Sequence, residues 1–155
     1  MQVFTIACLI TFLWLCFGYS LSFSPPLDTG GTKEVFGNGD RLWLRGMMKN
    51  TVHALAPTIP EALYCAFQLT FAIITAALIC GSFADRMKYH SMIIFIIFWH
   101  LLVYCPLAHS NWHFHGWLYQ LGVLDFAGGN VVHICSGAFT SKSPSIQISN
   151  QTLIY

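Results

Sequence analysis

Three apolar stretches dominate the sequence, and each is long enough to cross a bilayer. A helix rises 1.5 Å per residue, so about 20 mostly apolar residues traverse the hydrocarbon core. Met1–Phe23 meets that length without a charged side chain, Glu61–Phe83 meets it again, and Ser91–Leu107 forms a third run that ends near Pro106. A secretory leader is the competing reading of the first run. That run lacks a positive start and is too long for one, so a span is favoured.

The composition agrees. The 155 residues are 55% hydrophobic and 8% charged, where a soluble domain averages about 25% charged. So few charges could not cover a water-facing surface, whereas lipid tails accept an apolar exterior. The expected fold class is therefore all-α, a polytopic bundle of transmembrane helices. A net charge of +1 points to no nucleic-acid partner and no strongly acidic one. The cysteines at 8, 16, 65, 80, 105 and 135 sit in apolar runs with no CxxC spacing. They read as buried thiols rather than a disulfide framework.

Connections separate the runs. Residues 24–60 hold Pro25-Pro26, Gly30-Gly31, Gly37, Gly39 and most of the charges, which predicts a water-exposed loop. Pro60 and Glu61 suit the opening of the second helix. Asp85, Arg86 and Lys88 make a short charged turn, and 109–124 carries three histidines and two tryptophans without Lys or Arg, as an interfacial loop would. The positive-inside rule places the 85–88 turn in the cytoplasm, although Lys33, Arg41, Arg45 and Lys49 then lie outside. The fourth run, Phe126–Phe139, would reach only about 21 Å of a core about 30 Å thick. The sequence then turns polar in "TSKSPSIQISNQTLIY". The expected organisation is a membrane domain over 1–139 that breaks off within a span, a polar tail over 140–155, and a parent protein that is larger.

Candidate functional residues concentrate late in the chain. "GVLDFAGGNVVHICSG" (122–137) puts Asp125 and His133 in apolar company, where ionisable groups are costly and normally face a cavity or bundle interior. Asp125 can cap the following helix, shape a cation site, or do both. His133 lies about 12 Å deeper, as a packed core residue or as an imidazole facing a polar cavity. Gly128 and Gly129 suit close helix approach. In "HSNWHFHGW", His109, His113 and His115 could hold a metal, although no second ligand box supports them. Trp112 and Trp117 read as interfacial anchors, or Trp112 as a ring face offered to a cation. Phe67 and Phe71 share a helix face at i, i+4, as packing or as a gate.

Four stretches carry a family resemblance: "GYSLSF" (18–23), "FQLTFAIITAALICGSFADR" (67–86), "LLVYCPLAH" (101–109) and "LGVLDFAGGNVVHICSG" (121–137). In this order they are similar to the ammonium transporter family, which includes methylammonium permeases and Rhesus glycoproteins. The resemblance runs from about residue 10 to 138. It implies roughly the second to fifth of about eleven helices, homotrimeric assembly in a plasma membrane, and a conduction path in each subunit. By resemblance the 85–88 turn is cytoplasmic and the Trp112 loop external. Trp112 corresponds to the aromatic residue of the outer recruitment site, Phe71 to one ring of the two-phenylalanine gate, and Asp125 to the acid that organises that site. His133 corresponds to the first of the paired pore histidines. The implied cargo is ammonium or methylammonium, passing as ammonia beyond the gate, with no cofactor and no enzymatic step. The "WHFHGW" segment departs from the family in carrying two histidines where a glycine-rich run is usual. The second gate ring and second histidine lie outside this chain, so the 155 residues alone are expected to be inactive. The alternatives are a metal-binding membrane enzyme using the histidine cluster, and a truncated subunit that modulates full-length transporters.

Overall fold

The computed structural model describes residues 1–24, 35–83 and 87–141. Three helices have the length and apolarity of membrane spans: α1 (Gln2–Phe23), α2 (Glu61–Phe83) and α3 (Tyr89–Trp112). A short helix α4 (Trp117–Gln120) follows, and then α5, which begins as Gly129–Ile134 and continues as Cys135–Ser141. A two-stranded antiparallel hairpin, β1 (Val52–His53) and β2 (Ala56–Pro60), precedes α2. The turn at 85–88 falls largely outside the described residues, and so does the tail beyond 141.

The third span is longer than the sequence pattern suggests, running five residues past Leu107 to Trp112. Pro106 does not end it, because a π-helical turn at His100–Tyr104 comes first. Cys105 N–H bonds back to the His100 carbonyl, and Pro106 then falls in the first turn of the resumed α-helix, where no intrahelical donor is required. A second π turn, Trp14–Gly18, interrupts α1. The two turns pack together, and a side chain at Gly18 would meet His100 Nε2 at 2.8 Å.

Inside and outside are sorted by size and polarity rather than by hydrophobicity alone. α2 buries Tyr64, Cys65, Gln68, Ala72, Thr75 and Ala76, while Leu63, Phe67, Ile74 and Leu78 face outward. Small residues let helices approach closely where lipid offers no hydrophobic contrast. α1 answers with Ile6, Ile10 and Trp14, all fully buried. Trp14 Nε1 donates to the Cys65 carbonyl at 3.2 Å, which satisfies the indole in a dry core. The cysteines are unpaired. All but Cys8 are buried, as small hydrophobes would be.

The loop before α2 is pinned by charge. Glu61, 1% exposed, accepts from Arg41 Nε at 2.8 Å, Arg41 Nη2 at 3.3 Å and Tyr19 Oη at 3.2 Å. Trp43 and Leu44 take left-handed backbone (φ 56° each), and Trp43 folds back onto Phe12 and Phe17 of α1.

Candidate substrate cleft

The residues before α5 build its start. Asp125 reaches over the helix N-terminus, where Oδ1 accepts from Asn130 N–H at 3.1 Å and Oδ2 from Val131 N–H at 3.2 Å. This is capping by a side chain several residues upstream, and it occupies both carboxylate oxygens. Gly128 makes the reversal with φ 77°, and a Cβ there would press on Val132 at 3.1 Å. The pair Gly128-Gly129 thus serves a turn rather than close helix packing. A Cβ at Gly129 would meet only Asp125 Oδ1, at an ordinary 3.6 Å.

Capping fixes Asp125 beside an aromatic cleft of about 330 Å³, which Phe67, Phe71, Gln68 and Trp112 also line. Phe67 and Phe71 meet edge to face at 5.1 Å between ring centroids, and Phe71 meets Trp112 at 5.7 Å. Trp112 is held from behind by Phe23, stacked at 6.4 Å and 11°. Four expected site residues, from α2, α3 and the approach to α5, therefore share one opening. His133 does not join them. It stands further along α5 on an exposed face, and its ring lines none of the clefts described here.

Gln68 is a cleft residue that the motif reading passed over. It is 8% exposed, donates to Tyr64 Oη at 3.3 Å, and has no partner for Oε1 among the described residues. Its signal was present in the sequence, since an amide within an apolar span needs a polar environment.

The histidine cluster does not converge on a point. His109 and His113 stack with centroids 4.6 Å apart and planes 15° apart, and His113 lies 5.6 Å from His115. His109 Nδ1 donates to the Ser22 carbonyl at 3.0 Å, while His113 Nδ1 accepts from His115 N–H at 3.3 Å. Among the described residues no three His, Cys, Asp or Glu side chains come together as metal ligands would. Burial, then the neighbouring imidazoles His109, His115 and His53, pull the His113 pKa down to about 3. It is a neutral ring at physiological pH.

Three helices with the length and apolarity of membrane spans, packed around a common core, define a polytopic helical membrane protein. The comparisons with known proteins are specific. The model of the Ammonium Transporter Family matches residues 1–140. An ammonium transporter of Bacillus subtilis is 42% identical, over 88% of this chain and 32% of its own length. Ammonium transporter 1 of Dictyostelium discoideum is 39% identical, over 88% of this chain and 28% of its own length. The crystal structure of Saccharomyces cerevisiae Mep2 superposes with a TM-score of 0.78 at 32% identity, covering 89% of this chain and 29% of that one. The chain belongs to the ammonium transporter family, and it spans about a third of the length of the relatives it matches.

Proposed function

We propose that the chain forms part of an ammonium-conducting path and that the aromatic cleft is its outer entry. The observation that carries this reading is the gathering of Phe67, Phe71, Trp112 and Asp125 around one opening. A ring face attracts a desolvating cation by about 0.5–2 kcal/mol, and the Asp125 carboxylate, held among the described residues by backbone N–H groups, adds a negative potential. Below the mouth, Phe67 and Phe71 form an apolar barrier. A potassium ion cannot cross it without losing hydration, whereas ammonium can leave its proton behind and pass as ammonia.

His133 is proposed to line the path beyond this gate. An imidazole on the outward face of α5 is costly against lipid, so a polar conduit closed by further segments suits it better. The rest of the proposal follows the family: ammonium or methylammonium as cargo, a homotrimer in the plasma membrane, and transport without cofactor or enzymatic step. With about a third of the relatives' length, the 155 residues do not conduct by themselves. Expressed in cells lacking ammonium uptake, they should give methylammonium accumulation at background. Placed within a full-length ammonium transporter, His133→Ala should change methylammonium flux or selectivity severalfold, and unaltered transport would remove His133 from the path.

The entry site is testable on the chain itself. In lipid nanodiscs, methylammonium should shift the Trp112 indole N–H resonance in a saturable way, and potassium at equal ionic strength should not. Equal responses to both cations, or none, would overturn the reading. The modulatory alternative is separated by co-expression with an intact transporter, where it requires reduced uptake.

A further inference from the structure

A second pocket, of about 210 Å³, opens between the hairpin, Arg41 and the end of α1, and it shares no lining residue with the aromatic cleft. Its polar walls are Ser24, His53, Glu61, Arg41 and His113. Arg41 cancels the charge of Glu61. His53 Nε2 donates to the Phe23 carbonyl at 2.9 Å and Leu55 N–H donates to its Nδ1 at 3.2 Å, so both ring nitrogens are engaged. With its acid and its guanidinium paired to each other, the pocket favours a neutral hydrogen-bonding ligand over a cation or an anion.

Behind His113 a polar ladder descends one face of α3. His113, His109 and Cys105 follow at helical spacing of four, and the π turn at His100–Tyr104 carries the same face on to His100. The ladder packs against the end of α1. His109 has given Nδ1–H to Ser22, so its Nε2 is a bare acceptor. Among the described residues it has no partner, and neither has His100 Nδ1, while the Ser22 hydroxyl has only the Cys105 thiol and the Tyr104 hydroxyl only Thr75 within reach. All these side chains are 0% exposed. His100 Nε2 has only the Cys105 thiol, at 3.8 Å. A buried polar atom without a partner is costly, and buried water is the usual remedy where polar groups cluster. Below the ladder the fully buried Ile10, Trp14 and Ile96 close the interface.

We propose that this pocket and the ladder behind it are a second internal site whose ligand is water: a hydrogen-bonded file that enters beside His113 and ends at His100 and Tyr104. The file satisfies the orphaned atoms and gives the buried imidazoles a proton-exchange route to the outer face. Neither the aromatic cleft nor ammonium enters the argument, so the site stands or falls independently of the transport reading.

Water-edited NMR on the chain, labelled with ¹⁵N-histidine in nanodiscs, decides it. The ring nitrogens of His109 and His100 should receive water polarisation within about threefold of the rate at His113. If they stay silent while His113 and the exposed His90 respond, the proposal is overturned. His113→Leu, at the mouth, should slow transfer to His109 and His100 at least tenfold (~10-fold or more) with the helical circular dichroism unchanged. His53→Phe, on the same wall, serves as the second plug. Undiminished transfer in a folded plugged variant would overturn the proposed entry.

Discussion

Glu61 and Asp125 are acids at the N-terminal ends of two helices, and the fold answers their charges in different ways. Glu61 is buried to 1% exposure and faces a guanidinium at 2.8 Å. Asp125 is partly exposed and, among the described residues, accepts only from backbone N–H groups, at 3.1 and 3.2 Å. Both gain from the positive end of a helix. Only the first is electrically cancelled by a neighbouring cation, so only the second projects a field into the space beside it. An acid that fastens a loop and an acid that faces a cleft thus differ in the group that answers them.

The contrast can be broken most severely at Arg41. Arg41→Ala leaves the Glu61 carboxylate buried and uncompensated, which should cost about 3 kcal/mol, the lower end for a buried pair because the arginine is part-exposed. Thermal or denaturant unfolding in mixed micelles should show it, and adding Glu61→Gln should restore most of the loss. No recovery in the double variant would mean that the pair does not act as a unit. Asp125→Ala removes a cap and should cost about 1–2 kcal/mol, read as faster hydrogen exchange at the Asn130 and Val131 amides. It should also weaken methylammonium binding, with Asp125→Asn between the two. Undisturbed exchange at both amides would refute the capping role.

A smaller effect is expected at Trp112. Trp112→Ala should weaken methylammonium binding by about 2- to 30-fold, the range of one cation–π contact, and Trp112→Phe should keep part of it. The last effect is that of pH, and it is confined to acidic solution. Folding holds the His113 pKa down at about 3, below about 6.5 for a free imidazole. The unfolded chain therefore takes up the proton first, and the contribution is present above about pH 6.5 and lost progressively as pH falls toward 3. His113→Asn should flatten that segment of the stability–pH curve, and an unchanged slope would assign the titration to another group.

Much of this was legible before any coordinates. The apolar runs announced α1, α2 and α3, and Asp125 was readable as a cap. Trp112, Phe71 and Asp125 were expected at one outer site and Phe67 with His133 along the pore; in the fold Phe67 lines the same cleft as the first three. The extension of α3 to Trp112 was not legible, because Pro106 looks like a terminator until the π turn ahead of it is known. Gln68 was overlooked among apolar neighbours. His133, expected about 12 Å deeper than Asp125 along the path, stands on an exposed face of α5.

The sequence by itself determined that the chain is a set of membrane spans, because hydropathy and length are local quantities set by 1.5 Å of rise per residue. The tertiary structure decided which faces meet. It joined Arg41 to Glu61 and Ser22 to His109, residues 20 and 87 positions apart, and it set Trp112 against Phe71. Lipid is as apolar as the core, so hydrophobicity does not distinguish an inward face from an outward one. That choice rests on the shapes of Gly18, Ala72 and Ala76 and on the few polar groups that had to find partners.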